Sequence, residues 1–192
     1  FLDLENIRKL LDERDILSLR KKSMKKNRPE EEYSLDFSFL LHDIMKIGNQ
    51  YILAGETYYP EFHTESYTDY DFYGRPFTNS YNVFDGYRFT GAILAGFSDE
   101  GKLLWDNVLT IRNLISFSLT PKVLIYPSGE DIVLAYLSDG KIGTRIIRQN
   151  ETIEKTTYSG IQLLHPSDKL LSETKSSLVH WYGDNFLCYG FQ

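Results

Sequence analysis

One cysteine stands in the whole chain, Cys188, inside the apolar phrase Phe186–Tyr189. An internal disulfide and any cysteine-rich zinc site are therefore excluded, and a lone thiol in such a phrase reads as an inert core group. No apolar run approaches the length of a membrane-crossing helix, and no signal-peptide pattern is visible. Neither Ser167 nor Ser172 sits in a nucleophile elbow, and no glycine-rich phosphate loop occurs, so no catalytic group and no cofactor is implied. Positive charge is scarce as well. A net charge of −6 argues against a nucleic-acid partner, whose affinity rests on neutralising phosphates.

What the chain does have is aromatic side chains, 14 Tyr and 12 Phe in 192 residues. That load favours strands and interfaces over helices. The length suits one domain, or two, with a core of real size. The chain opens at Phe1 without an initiator methionine and ends just after an apparent strand, and we read it as a piece of something longer.

The stretch Gly91–Leu109 predicts a β-hairpin. Ala92–Phe97 is too short and too apolar for a typical helix, Ser98–Gly101 supplies the turn, and Lys102–Leu109 alternates as the outgoing strand. Its opening phrase returns at Tyr51–Gly55, Ile132–Tyr136 and Phe186–Gly190, the first three copies beginning about forty residues apart. That interval matches a four-stranded propeller blade. It predicts that Tyr51, Ala92, Ile132 and Phe186 each open an equivalent interior strand.

The phrases ILAG…SDEGKLLWD and IVLAY…SDGK resemble blades of kelch-like or quinoprotein-like β-propellers from secreted and outer-membrane proteins of Bacteroidota-type bacteria. More closely, YILAGETYYPEF…YDFYGRP…YNVFDGYRF resembles an uncharacterised family of such proteins, over roughly Ser34–Gln192. The resemblance implies an extracytoplasmic location: periplasm, outer-membrane surface or secreted. It carries no catalytic residues. The kelch double glycine, the WD40 Gly-His and the quinoprotein tryptophan-docking signatures are absent.

Ahead of the repeats, Leu4, Ile7, Leu10 and Leu11 share one side of a short helix with Asp3 as its cap. Arg20–Arg28 then places six positive charges in nine residues, before Pro29 and three glutamates. It reads either as a polybasic patch for anionic lipid or as a solvated linker. We therefore expect a helix and charged linker over 1–33 and an all-β, propeller-like repeat domain, a partial ring, over 34–192. His42, beside Asp43, reads as a buried histidine hydrogen-bonded to a neighbour rather than a metal ligand.

The segment 58–89 is unlike the rest. Twelve aromatic residues alternate there with Glu61, His63, Glu65, Asp69, Asp71, Arg75 and Asp85, and turns are expected at Gly74-Arg75-Pro76 and Asp85-Gly86. An extended hairpin projecting between two repeats follows. Candidate ligand-binding residues are Tyr58, Tyr59, Tyr67, Asp69, Tyr70, Asp71, Tyr73 and Arg75. Beside a plain structural reading, in which the aromatics cover a wide sheet edge, three functions compete for them. The first is docking on a protein partner or on the remainder of the same chain, with Tyr and Arg as anchors. The second is a glycan site, with rings stacked on sugars and carboxylates on hydroxyls. The third is a hydrolase using acids of this segment, Glu61, Glu65, Asp69 and Asp71, with Glu61 and Glu65 as a glycosidase pair. Asp69 and Asp71 alone are too few oxygen ligands for calcium.

Overall fold

A computed structural model of the chain describes Asn6, residues 38–163, His165, and residues 176–183 and 185–190. The expected N-terminal helix and the Arg20–Arg28 run lie outside the described residues, except Asn6, whose backbone N–H donates to Asp106 Oδ2 at 2.8 Å. Everything else described is strand and turn. Among the described residues the chain is all-β, every strand pair is antiparallel, and none of the three sheets closes on itself.

The first sheet contains β1 (Ser38–Leu41), β2 (Met45–Ile47), β3 (Gln50–Tyr70), β4 (Pro76–Ser98) and β5 (Leu103–Ser116). Its order is β1-β3-β4-β5, with β2 also on β3. The second is a consecutive meander of β6 (Leu124–Ser128), β7 (Asp131–Ser138), β8 (Lys141–Arg148) and β9 (Glu151–Gly160). A third, two-stranded sheet pairs β10 (Ser176–Tyr182) with β11 (Asn185–Gly190). It is anchored by His180, whose ring stacks on Tyr126 of β6 at 3.7 Å.

Local chemistry explains the hairpins. Ser138 pairs with Lys141, leaving Asp139 (φ 51°) and Gly140 (φ 70°) as a two-residue turn. Positive φ at both positions is the primed geometry that matches strand twist, and Asp-Gly tolerates it. The Gly91–Leu109 hairpin forms as expected: Ser98 N–H donates to Lys102 O and Gly101 N–H to Ser98 O, both at 2.9 Å. Its strands run further than their apolar phrases, because β4 starts at Pro76 and β5 continues through Ile111 to Ser116.

The repeat reading needs correction. Tyr51 pairs with Phe97 and Glu56 with Ala92, so the first two phrases are hydrogen-bonded neighbours in one hairpin. They are not equivalent strands of successive sheets. The interval between them measures the trip out along β3 and back along β4, 21 and 23 residues, not the length of a blade. The third phrase does occupy an interior strand, β7, while the fourth lies in β11, which among the described residues has β10 as its one partner strand.

One hydrophobic cluster joins the two larger sheets. Ile52, Phe89, Leu94, Leu109 and Leu114 from the first meet Ile132, Leu134, Tyr136 and Ile147 from the second. Each such side chain contributes about 1.5–3 kcal/mol on burial. Glycine makes the closest contact possible: a Cβ on Gly96 would lie 2.2 Å from the ring of its cross-strand neighbour Trp105. The same indole donates to Gln50 Oε1 at 2.8 Å.

Candidate functional site

β1 leaves β3 at Tyr58, and β5 leaves β4 at Tyr87. Among the described residues, β3 and β4 continue beyond those points as a two-stranded arm, paired from Tyr59–Arg88 to Tyr70–Pro76. At ~3.3 Å per residue it extends roughly 35 Å past the sheet. Asp85-Gly86, expected as a turn, is instead a bulge within β4: Glu61 faces Gly86, Phe62 faces Phe84, and Asp85 is the extra residue. Gly86 has φ 127°, and a Cβ there would meet Ile115 at 2.7 Å, so glycine lets the bulge lie close against β5.

Period-two alternation gives the arm two different faces. One begins as an aromatic ladder leaving the core. Phe89 meets Tyr58, Tyr58 meets Tyr87 edge-on at 5.6 Å, Tyr87 meets Phe84 at 5.0 Å, and Phe84 meets Phe62 at 5.4 Å. Further out it turns to short polar groups: Thr64 donates to Asn82 at 3.0 Å, Ser66 and Ser80 share a hydrogen at 2.8 Å, and Thr68 faces Thr78.

The opposite face is charged. Arg88 grips Glu61 with two N–H groups at 2.7 and 2.9 Å, and the carboxylate raises the guanidinium pKa. His63 Nδ1 lies 2.6 Å from Asp85 and its Nε2 3.3 Å from Glu65. Carboxylates only accept, so both contacts are satisfied only by the imidazolium. The hydrogen bond to Asp85, then that to Glu65, raises the His63 pKa. Tyr81 O–H closes the chain on Glu65, lowering the carboxyl pKa and raising its own.

A five-residue turn caps the arm. Asp71 Oδ1 accepts from the N–H groups of Arg75 and Tyr73 at 2.8 and 2.9 Å, while Arg75 Nε donates to Oδ2 at 2.7 Å. The Arg75 backbone bond leads the causes that hold the Asp71 carboxyl below its usual range. Arg75 also lies over the Tyr73 ring, 5.3 Å from its centroid. The turn therefore holds the backbone that presents the tip aromatics, with Phe72 98% exposed, Tyr73 79% and Tyr70 66%.

The eight candidate residues do not converge. Tyr58 belongs to the proximal ladder; Tyr59, Tyr67 and Asp69 share the charged face; Tyr70 is on the opposite one; Asp71, Tyr73 and Arg75 form the turn. Asp71 and Arg75 hold each other, and Asp69 accepts from the Tyr70 N–H at 2.8 Å. Missing from the candidates was Phe72. It is the fully apolar side chain in a turn otherwise made of Asp71, Tyr73, Gly74 and Arg75, and that was its one signal. The Asp85–His63 pair was also missed, because the bulge that joins them is non-local.

No protein-family model, curated protein or solved structure matches this chain.

Two further places carry polar groups. Glu56 is fully buried, and its carboxylate accepts from the N–H groups of Lys122 and Val123 at 2.8 Å and from His42 Nε2 at 2.7 Å. The expected His42 partner is thus a carboxylate reached across the β1–β3 edge. Beside it, an open cleft of about 1070 Å³ runs between Leu41, Leu114, Ile125 and Leu178. Within its polar lining, Lys122 Nζ donates to Ser118 and Thr120, and Asn113 to Asp139. Burial lowers the Lys122 pKa. Among the described residues no three His, Cys, Asp or Glu side chains group as a metal site, and no helix is long and apolar enough to cross a membrane.

Proposed function

We propose that this chain is a non-catalytic binding or assembly module of a secreted or envelope-associated bacterial protein, and that it docks on protein through the β3–β4 arm. The observation that carries this reading is the tip, where Tyr70, Phe72 and Tyr73 stand in solvent on a turn braced by Asp71 and Arg75. A two-stranded ribbon is marginally stable by itself. Exposed aromatics on a braced turn lose little entropy on docking, and Tyr and Arg are frequent anchors of protein interfaces.

A glycan reading would need free carboxylates and guanidinium beside the rings, and here Asp71 and Arg75 are committed to one another. A glycosidase reading fits less well. Glu61 and Glu65 are about 13 Å apart along an extended strand, against about 5–9.5 Å between working carboxyls. Each is also already bonded, Glu61 to Arg88 and Glu65 to His63 and Tyr81. The consecutive β6–β9 meander supports a blade-like role for that sheet, as the propeller resemblance implies.

The test is a photo-cross-linking residue in place of Phe72, followed by affinity measurement with the purified protein it captures. Tyr73→Ala should weaken that binding by about 30-fold, as loss of an interface anchor does. Binding of glycans in place of protein, or a tip that captures nothing, overturns the reading.

A further inference from the structure

The two edges of the arm differ in chemistry. Outside the sheet, the β3 edge carries Pro60, Glu61, Glu65 and Asp69. Proline and charge are the usual means by which an open edge is kept from pairing. The β4 edge from Phe77 to Phe84, FTNSYNVF, has no charge, no proline and no glycine, and is rich in strand-forming residues. No described strand pairs with it, since β5 reaches only to Tyr87. One edge is guarded and the other is open.

We infer that this open edge pairs with the same edge of a second copy of the chain, antiparallel about a two-fold axis at Ser80. This rests on the protein-docking reading above and names its partner. A two-fold axis normal to the ribbon keeps each face continuous, so opposed residues must share a face. Centring it on Ser80 sets Ser80 against Ser80, Thr78 against Asn82, Asn79 against Tyr81 and Phe77 against Val83. Every row is then hydroxyl with hydroxyl or amide, or aromatic with β-branched, pairings that stabilise sheets. The Thr64/Asn82, Ser66/Ser80 and Thr68/Thr78 pairs already present would extend across four strands.

The same register accounts for the tip. With Pro76 of one copy opposite Phe84 of the other, the turn Asp71–Arg75 arrives where β5 ends, at Ser116 and Phe117. Phe117 is 60% exposed and already packs edge-on to Phe84 at 6.1 Å, leaving a ring for Phe72 or Tyr73 to cover. The new outer edges are both β3, lined by Glu61, Glu65 and Asp69, so the pairing closes at two copies.

Sedimentation velocity over a concentration series reads the association. A reversible dimer is expected, and Ser80→Lys, which opposes two like charges at the axis, should raise its dissociation constant about tenfold or more. In a Cys188→Ser background, Ser80→Cys should cross-link to itself under mild oxidation, whereas Thr68→Cys on the guarded edge should not. A monomer at every concentration, or equal cross-linking at both positions, overturns the inference. If Phe72 then still captures a different protein, the docking function stands without the dimer; if it captures nothing, both fall.

Discussion

Glu56 Oε1 sits 2.8 Å from the backbone N–H of Val123, joining a strand of the first sheet to the segment that leads into the second. The carboxylate has no exposed surface, and its partners are two backbone donors and the His42 ring. Burying a carboxylate is tolerable only with such donors, and removing it strands all of them. Glu56→Ala should therefore cost about 3–5 kcal/mol. Urea unfolding checks this, with Glu56→Gln, which retains one acceptor oxygen, predicted to lose clearly less. Equal losses would mean the carboxylate does not act as the latch.

Gly96 and Trp105 set a second expectation. The indole occupies the space a methyl group would take, 2.2 Å from an added Cβ, and is held there by its bond to Gln50. Gly96→Ala must push the ring out or bend the β4–β5 pair, at about 1–3 kcal/mol for overpacking. Trp105 fluorescence during thermal unfolding, isolated in a Trp181→Phe background, reads both effects, a lower midpoint and an altered native spectrum. Gly129, with no atom within 4 Å of an added Cβ, offers no such clash, although its φ of 64° adds backbone strain on substitution.

Much of this architecture was legible where the signal is local. Ser98–Gly101 and Asp139-Gly140 announce their turns because loop length and left-handed tolerance decide a hairpin. The aromatic alternation of 58–89 announces an extended arm for a similar reason. What local chemistry does not carry is which strand lies beside which. The phrases at Tyr51 and Ala92 look like two copies of one unit, yet they pair with each other, because either arrangement buries the same apolar residues. Asp85-Gly86 reads as a turn since its dipeptide suits one, and only pairing with Glu61 and Phe62 makes it a bulge. Glu56 offers no warning either: its backbone donors lie 66 and 67 residues further along the chain.

At the tip, Asp71 predicts a pH-dependent order. Its carboxyl is held below the usual range, first by the Arg75 backbone N–H. A depressed folded pKa means the contribution is complete above the unfolded value and disappears as pH falls through the folded one. Protection of the Tyr73 and Arg75 amides, relative to the intrinsic exchange rate at each pH, should thus persist at neutral pH and fall only in acid, below about pH 4. Asp71→Asn, with one acceptor oxygen and no charge, should show weaker protection at neutral pH and no further drop in acid. An Asn variant as protected as the parent would remove Asp71 as the brace, and with it the reason the tip aromatics hold their positions.

His63 predicts the opposite sign on the same arm. Its pKa is raised, mainly by Asp85 and then by Glu65, so the charged ring is the form the folded arm prefers. The stabilising contribution is complete below the ordinary histidine value near 6.5 and is lost as pH climbs through the higher folded value. Imidazole proton shifts followed by NMR should give a midpoint above that of a free histidine. Asp85→Asn should bring it down further than Glu65→Gln does. As the ring loses its proton one nitrogen turns a lone pair toward a carboxylate, and protection of the amides around the bulge should fall over the same pH interval. A His63 midpoint indifferent to Asp85→Asn would mean the bulge does not hold that carboxylate against the ring, and the charged face of the arm would have to be redrawn.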